Sequence, residues 1–584
     1  MTGSIRKSHR QHEGELRIQA RRHTPPEQTE AIRGVIHDEM SRQHVVYYAR
    51  LQYLPLGVLD ESGRPWVTIL CNPETTAPST ELLVVRARVN PDDPFVRAVC
   101  SPMPGARLFA GVAIDFATRS RVKLSGSVDA ATFDGRSLAL ALRATEHMGN
   151  CPKYITVRDL RPNVRTPSTT PLGTELSSAA RDILRRASTI FIATRHSDRD
   201  PSESDMGLNH RGGPKGFLRS FDDEHGTHLV LPDYSGNRFY QSLGNVETDP
   251  VMGVAIPDFT TGAMLQVTGR ARNLFDEDAS RIMPGATLIT LITIDEALLT
   301  TGALDLEIAG GEQLSPYNPK PRILASETPS NRHPLAMKAT LVDVIEESTL
   351  VSTFTFALPR EAELVPGGHA IFDFGSRFDR SYQHMNNLDP QSLNDDYVRT
   401  YTVSEVSPDR RQISITVKKA GVVSSYLHSL ANRRVPPIEI DLLGFGGTFT
   451  CLEEGRVLPH MLWVAGGVGI TPFIAMHRAL RDSGRPMPEV KLFYSCRGDE
   501  IALIDGMTDI EVRVLDSTGK AQSAGGHGRR VYPRRLRATD FDDVPTLEQA
   551  IVFVCGPDRF MADVRAWLEP KIDPGRLRFE SFDF

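Results

Sequence analysis

"GVAIPDFTTGAMLQVTG", residues 253–269, reads as a strand, a turn and a strand, and the chain has already spelled nearly the same thing as "GVAIDFATRSRVKLSG" at 111–126. In both copies an apolar run ends in Asp-Phe, a small polar turn follows, and a β-rich run closes on glycine. The offset is 253 − 111 = 142 at the first glycine and 269 − 126 = 143 at the last, so one residue, Pro257, is inserted between them. A near-constant offset over a whole hairpin marks an internal repeat rather than shared strand composition. The N-terminal half therefore reads as two copies of one β-domain.

Outward from the two hairpins, the first copy is expected over 27–165. It opens with a helix-forming stretch (27–49) that leads into the hairpin "LPLGVLDESGRPWVTILC" at 54–71. The second is expected over 175–314, restarting at "IFIAT" (190–194) after the Pro/Thr/Ser-rich "RPNVRTPSTTPLGTELSS". "SPYNPKPRILASETPSNRHP" at 315–334 has the composition of a linker. Residues 1–26 carry Arg6, Lys7, Arg10, Arg17, Arg21 and Arg22 against Glu13 and Glu15, and read as a disordered tail.

The bulk properties bound the function. A chain of 584 residues needs several cores, roughly three or four by length. Net charge of −6 offers no surface for a polyanion, so no nucleic-acid partner is expected. No apolar window is long enough to span a bilayer, and the start has no signal-peptide core, so no membrane association is expected. The six cysteines (71, 100, 151, 451, 496 and 555) are too widely spaced for a thiolate zinc site or a plant-type iron–sulfur cluster, and no metal site is expected. They fit a reducing compartment, read as cytoplasmic, with the basic N-terminus leaving a mitochondrial address open.

Beyond the linker the character changes twice. From 335 to 452 the runs "KATLVDVIE", "VSTFTFAL", "AIFDF", "RTYTVSEV", "QISITVKK" and "IEIDLLG" predict a small antiparallel barrel. From 455 to 584 "MLWVA", "VKLFYS", "VRVLD", "IVFVC" and "LRFES" alternate with helical patterns, as in a parallel α/β domain. On the "RTYT" strand, Arg399 and Tyr401 share one face and Thr402 takes the other. A guanidinium suits a pyrophosphate and a tyrosine ring suits packing on an aromatic cofactor. Gly421 and Ser424 stand at an expected helix start, where N–H and hydroxyl donors meet phosphate. In "LWVAGGVGITPF", Gly466, Gly467 and Gly469 let the backbone turn from strand to helix with its N–H groups free to face a dinucleotide.

Together "RTYT", "GVVS" (421–424), "GGVGITP" (466–472), "FYSCR" (493–497) and "VFVCGPDRFM" (552–561) resemble the ferredoxin–NADP reductase superfamily, in order and spacing, over about 250 residues. The resemblance implies FAD on a six-stranded antiparallel barrel and NADPH or NADH on the α/β domain. It places Arg399 on flavin phosphate, Tyr401 against the isoalloxazine, Thr402 near N5, and Gly421 and Ser424 at the flavin pyrophosphate. Gly466, Gly467, Gly469 and Thr471 would receive the dinucleotide, with Cys555 and Gly556 beside the reacting ring; Tyr401, Thr402 and Cys555 are the expected catalytic positions. Ser495 and Arg497 could grip a 2′-phosphate, whereas Asp499 and Glu500 oppose one, and the balance leans to NADPH. A polar insert, 375–398, containing His384, departs from the family pattern and reads as a lid, an acceptor-docking loop or a solvated insertion.

The repeated front half resembles the pyridoxamine 5′-phosphate oxidase-like split barrels, many of which bind FMN. For the second copy the resemblance puts Lys215, Arg219, Ser235, Asn237 and Arg238 near a phosphate; the first copy lacks a comparable loop. "HRGG" at 210–213 reads as a phosphate nest or a turn. The expected protein is multidomain: two split barrels, a flavin barrel and a nucleotide-binding α/β domain. It is read as a flavoprotein oxidoreductase passing electrons from NAD(P)H through FAD to a split-barrel FMN or a small-molecule acceptor. The alternative makes the split barrels a non-catalytic binding or dimerisation module, with the reductase half feeding a separate redox partner protein. A homodimer through the split barrels is part of the same expectation.

Overall fold

The two echoes fold as the same hairpin. The computed structural model describes residues 11–580 apart from 35, 103–106, 150, 201–202, 328–332, 379–381, 432–437, 520–527 and 546. At the hairpin turns Asp115 accepts from the Ala117 N–H at 2.9 Å and Asp258 from the Thr260 N–H at 3.0 Å, while the Thr118 and Thr261 hydroxyls donate to the second carboxylate oxygen. The closing glycines stand at equivalent bulges, between Ser125 and Gly126 and between Thr268 and Gly269. A Cβ at Gly126 would lie 2.0 Å from the Arg143 carbonyl oxygen, and one at Gly269 2.1 Å from that of Thr293. Close backbone approach at the bulge therefore explains why both copies close on glycine.

The likeness extends to the whole sheet. The first copy runs β1 (Tyr53–Leu59), β2 (Pro65–Cys71), β3 (Glu74–Thr76), β4 (Leu82–Arg88), a helix Pro94–Cys100, β5 (Arg107–Asp115), β6 (Ser120–Phe133) and β7 (Ser137–Gly149). The second runs β8 (Thr189–His196), β9 (Asp205–Gly212), β10 (Arg219–Asp223), β11 (Gly226–Pro232), a helix Gln241–Thr248, β12 (Val251–Asp258), β13 (Ala263–Phe275) and β14 (Leu288–Thr301). The sheet orders are β2-β1-β5-β6-β7-β4-β3 and β9-β8-β12-β13-β14-β11-β10, the same path twice. Each has an eighth strand on the long last one, Ile36–His37 on β7 and Ser168–Gly173 on β14.

The copies pack on each other through a shared core that includes Tyr53, Val67, Val112, Ile114, Phe191, Leu208 and Met264. Phe116 and Phe259, equivalent by the 143-residue offset, meet edge-on with ring centroids 5.6 Å apart. Equivalent residues in mutual contact are the sign of an isologous, two-fold arrangement. The pairing expected of a homodimer is thus made within one chain.

Two expected boundaries shift. Residues 1–26 were expected as a tail, but Glu13–Arg21 forms a helix, α1, capped by His12. Its Ile18 is 1% exposed and packs with Leu243, Phe275 and Leu288, and the Arg21 guanidinium lies 3.8 Å over the Phe275 ring. The charge of this stretch hid a single apolar anchor. The expected linker, 315–334, is also partly core, because Tyr317 and Leu324 are buried in the N-terminal unit. That unit comprises residues 1–327 together with 382–395; the remainder forms the second unit.

In the second unit the barrel is closed in the order β15 (His333–Glu346), β16 (Val351–Ala357), β19 (Gln412–Lys418), β18 (Val398–Val406), β17 (His369–Asp373), β20 (Ile438–Gly446), every pair antiparallel. The parallel sheet runs β24 (Arg529–Tyr532), β23 (Glu511–Asp516), β22 (Glu489–Cys496), β21 (His460–Gly466), β25 (Ile551–Cys555), β26 (Leu577–Glu580). The strand order reverses between β21 and β25, and open α/β sheets bind ligands at such a switch point.

Candidate functional site

The switch point gathers the glycine turns. A Cβ at Gly469 would lie 2.4 Å from the Cys555 carbonyl oxygen, and one at Gly556 3.1 Å from Gly466 Cα, so the β21 and β25 ends approach through glycine alone. Gly467 adopts a left-handed φ of +55°, and a Cβ there would lie 3.9 Å from Glu500 Oε2. Thr471 begins the following helix, Thr471–Asp482, and its hydroxyl donates to the Val468 carbonyl at 3.1 Å. Cys555 is buried, and desolvation followed by the Glu580 charge pushes its thiol up, so it remains protonated. Ser495 and Arg497 lie at the end of β22; Arg497 is exposed, 3.8 Å from the Asp499 carboxylate, and buried Glu500 pairs with Lys418 at 3.0 Å.

On the barrel, Arg399 and Tyr401 are half-buried while Thr402 is buried. Tyr401 stands beside Phe374, nearly perpendicular at 6.5 Å, and burial raises its phenol. Gly421 caps the helix Val422–Leu430, and a Cβ there would meet nothing within 4 Å. The Ser424 hydroxyl accepts from the Ala420 and Gly421 N–H groups, so it shapes this helix start. Sequence reasoning missed two residues here. His369 is the cross-strand partner of Thr402, Glu580 is the partner of Cys555, and His369 Nδ1 lies 3.7 Å from Glu580 Oε1. They link the expected flavin strand to the expected nicotinamide strand, and neither carries a motif.

A second site lies between the two repeats, in a cavity of about 100 Å³. Arg121 and Lys123 from β6, Lys153 beyond β7, Arg211 from β9 and Arg238 beyond β11 line it, against one carboxylate, Asp233. His210 is 6% exposed. Desolvation, then the charges of Arg121, Arg158 and Arg211, hold its imidazole well below the usual range, so it is neutral. Arg121 Nη1 lies 3.0 Å from its Nδ1, and a guanidinium can only donate, so Nε2 carries the proton. Among the described residues that buried Nε2–H has no partner, and neither has the Tyr234 hydroxyl, from another residue lining the cavity. Five cations and two orphaned polar groups fit an anionic ligand. Arg238 and Tyr240 hold positive φ, at 62° and 63°, a strain typical of ligand-binding loops.

The structure brings only part of the expected phosphate set together here. Asn237 and Arg238 line the cavity and Ser235 adjoins it. Lys215 does not; it is paired with Glu312 at 3.0 Å. Arg219, on the outer strand β10, is paired with Glu327 at 2.9 Å. "HRGG" is neither nest nor turn at 210–212, which end β9, and a Cβ at Gly212 would lie 1.9 Å from the Tyr154 carbonyl oxygen. Arg121 and Lys123 stand in the hairpin of the first copy, which lacks a comparable phosphate loop, and sequence reasoning did not single them out; only the packing of the copies turns them into the other copy's pocket.

Adding 143 to 121 and 123 gives Met264 and Gln266, which line the equivalent cavity of the other copy, about 30 Å³. There Gln266 donates to Asp93 at 2.9 Å, and Arg165 is spent on the Leu304 and Leu306 carbonyls. The duplicate cleft has filled itself.

Residues 463–566 match the oxidoreductase NAD-binding domain. The chain is therefore an oxidoreductase with an NAD-binding domain. It is 25% identical over 242 residues to a probable dihydroorotate dehydrogenase B electron transfer subunit of Methanothermobacter thermautotrophicus, covering 41% of this chain and 75% of that one. It is 25% identical over 244 residues to the toluate 1,2-dioxygenase electron transfer component of Pseudomonas putida, covering 41% and 64%. Among solved structures, the ferredoxin reductase in carbazole 1,9a-dioxygenase is similar at 18% identity with a TM-score of 0.34, covering 62% of this chain and 98% of that one. None of the described helices is long and apolar enough to cross a membrane.

Proposed function

We propose that the chain draws electrons from NADH or NADPH in its second unit and delivers them to an anionic acceptor held between its two repeats, with FMN as the leading candidate. The repeats are read as two split barrels joined in one chain. Bound FAD and nicotinamide supply the hydride chemistry. The chain's own residues supply placement. The β21 and β25 turns give backbone donors at the switch point, Arg399 and the Gly421 helix start offer donors to flavin phosphates, and Tyr401 offers a ring face. Thr402, His369, Glu580 and the protonated Cys555 place hydrogen-bonding groups where the barrel and the parallel sheet meet. The Asp499 carboxylate, 3.8 Å from the exposed Arg497, opposes a 2′-phosphate, and this turns the reading from the NADPH favoured on sequence towards NADH.

The observation that carries the acceptor reading is the His210 Nε2–H, unpartnered among the described residues, in a cavity lined by five cations. Arg121, Lys123 and Arg211 would hold a phosphate, and the enclosed volume suits the phosphate end of a flavin rather than the whole. The test is flavin release from denatured, purified protein. FAD together with FMN is expected, and Lys123→Met should lower FMN content at least tenfold with FAD retained. FAD alone, even after incubation with excess FMN, would refute the relay. The second reading, electron delivery to a separate redox protein, is favoured by relatives named as electron transfer components.

A further inference from the structure

The connection between β17 and β18 of the reductase barrel belongs, over residues 382–395, to the other unit. It is fastened to the loop that lines the inter-repeat cavity. The Tyr382 hydroxyl donates to the Gly236 carbonyl at 3.0 Å, and the Arg238 guanidinium lies 3.9 Å over the Tyr382 ring. Asn394 accepts from the Ser235 N–H at 2.9 Å and donates to the Tyr154 hydroxyl at 2.9 Å. Lys153, buried, donates to the Ser235 and His384 carbonyls, both at 2.7 Å, so one ammonium joins the end of the first repeat, the cavity loop of the second and the insert. Met385 and Leu393 pack against the second-repeat core.

We propose that residues 382–395 are a structural part of the inter-repeat site: they preorganise the 235–240 loop, with its left-handed Arg238 and Tyr240, for a phosphate-bearing acceptor. Tyr382, Asn394 and Lys153 are positioning residues, acting on the ligand through the loop. Non-glycine residues in left-handed conformations persist where surrounding contacts enforce them; the insert supplies those at Ser235, Gly236 and Arg238, and the N-terminal helix those at Phe239 and Tyr240. A preformed loop spares the ordering cost at binding, which raises affinity without adding a ligand contact. The reductase sequence thus carries a piece of its own acceptor site, as expected of an acceptor bound in the same chain. This rests on the acceptor reading above.

The experiment uses the full-length FAD-loaded protein, with FMN as probe followed by fluorescence quenching and inorganic phosphate as competitor. Wild type should bind FMN, and Tyr382→Ala/Asn394→Ala should bind it at least tenfold more weakly, with one FAD per chain in both. Tyr382→Phe keeps the ring under Arg238 but loses the Gly236 bond, and should weaken binding several-fold without lowering the unfolding temperature appreciably; it serves where the double variant fails to fold. Equal or tighter FMN binding by the variants overturns the insert's role and leaves the acceptor reading standing. Failure of wild type to bind FMN overturns the acceptor reading itself.

Discussion

At the residue scale, two groups at the inter-repeat cavity titrate where measurement is easy. Burial pushes the Lys123 ammonium down to about 8, Arg121 and Arg211 adding repulsion against the opposing pull of Asp205 and Glu146. Burial likewise lowers Lys153 to about 8 and, with Asp205, raises Glu15 to about 8. Rising pH therefore removes two positive charges and adds a negative one near the same place. Affinity for FMN or inorganic phosphate should fall as pH rises from 7 to 9, and Lys123→Met should flatten that dependence; a flat wild-type titration would contradict the assignment. At the hairpin bulge, Gly269→Ala sets a methyl against the Thr293 carbonyl. Overpacking of this kind costs about 1–3 kcal/mol, so the unfolding midpoint in urea should fall, whereas Gly421→Ala, facing open space, should leave stability nearly unchanged.

At the element scale, the barrel strands and five of the six parallel strands were legible because each is a continuous apolar or alternating run. The sixth, Arg529–Tyr532, was not: an edge strand reading "RRVY" has no buried face to announce it. The helix at Glu13–Arg21 was missed for a similar reason, since Ile18 is its one buried apolar side chain in a charged stretch. The Pro-rich stretch after 314 was legible as irregular backbone but not as packed, because Tyr317 and Leu324 are buried without any regular period. The insert shows no periodicity at all, and its place became clear only from Tyr382 and Asn394 at the cavity loop.

At the scale of the whole molecule, duplication within one chain lets the two copies diverge, which a homodimer cannot do. One cleft keeps Arg121 and Lys123; its counterpart carries Met264 and Gln266 and has closed on Asp93. One FMN per FAD is therefore expected on quantitative release of flavins, and two FMN per FAD would show the neutral cleft to be loaded as well. The sequence by itself determined the repeat, the barrel and the nucleotide-binding sheet, because periodicity, turn glycines and motif order are local properties. Only the tertiary structure decided which charges share a cavity. Arg121 and Lys123 lie about 90 to 115 residues from His210, Arg211 and Arg238 in sequence. Packing the two sheets on each other is what brings them together, and no local pattern records it.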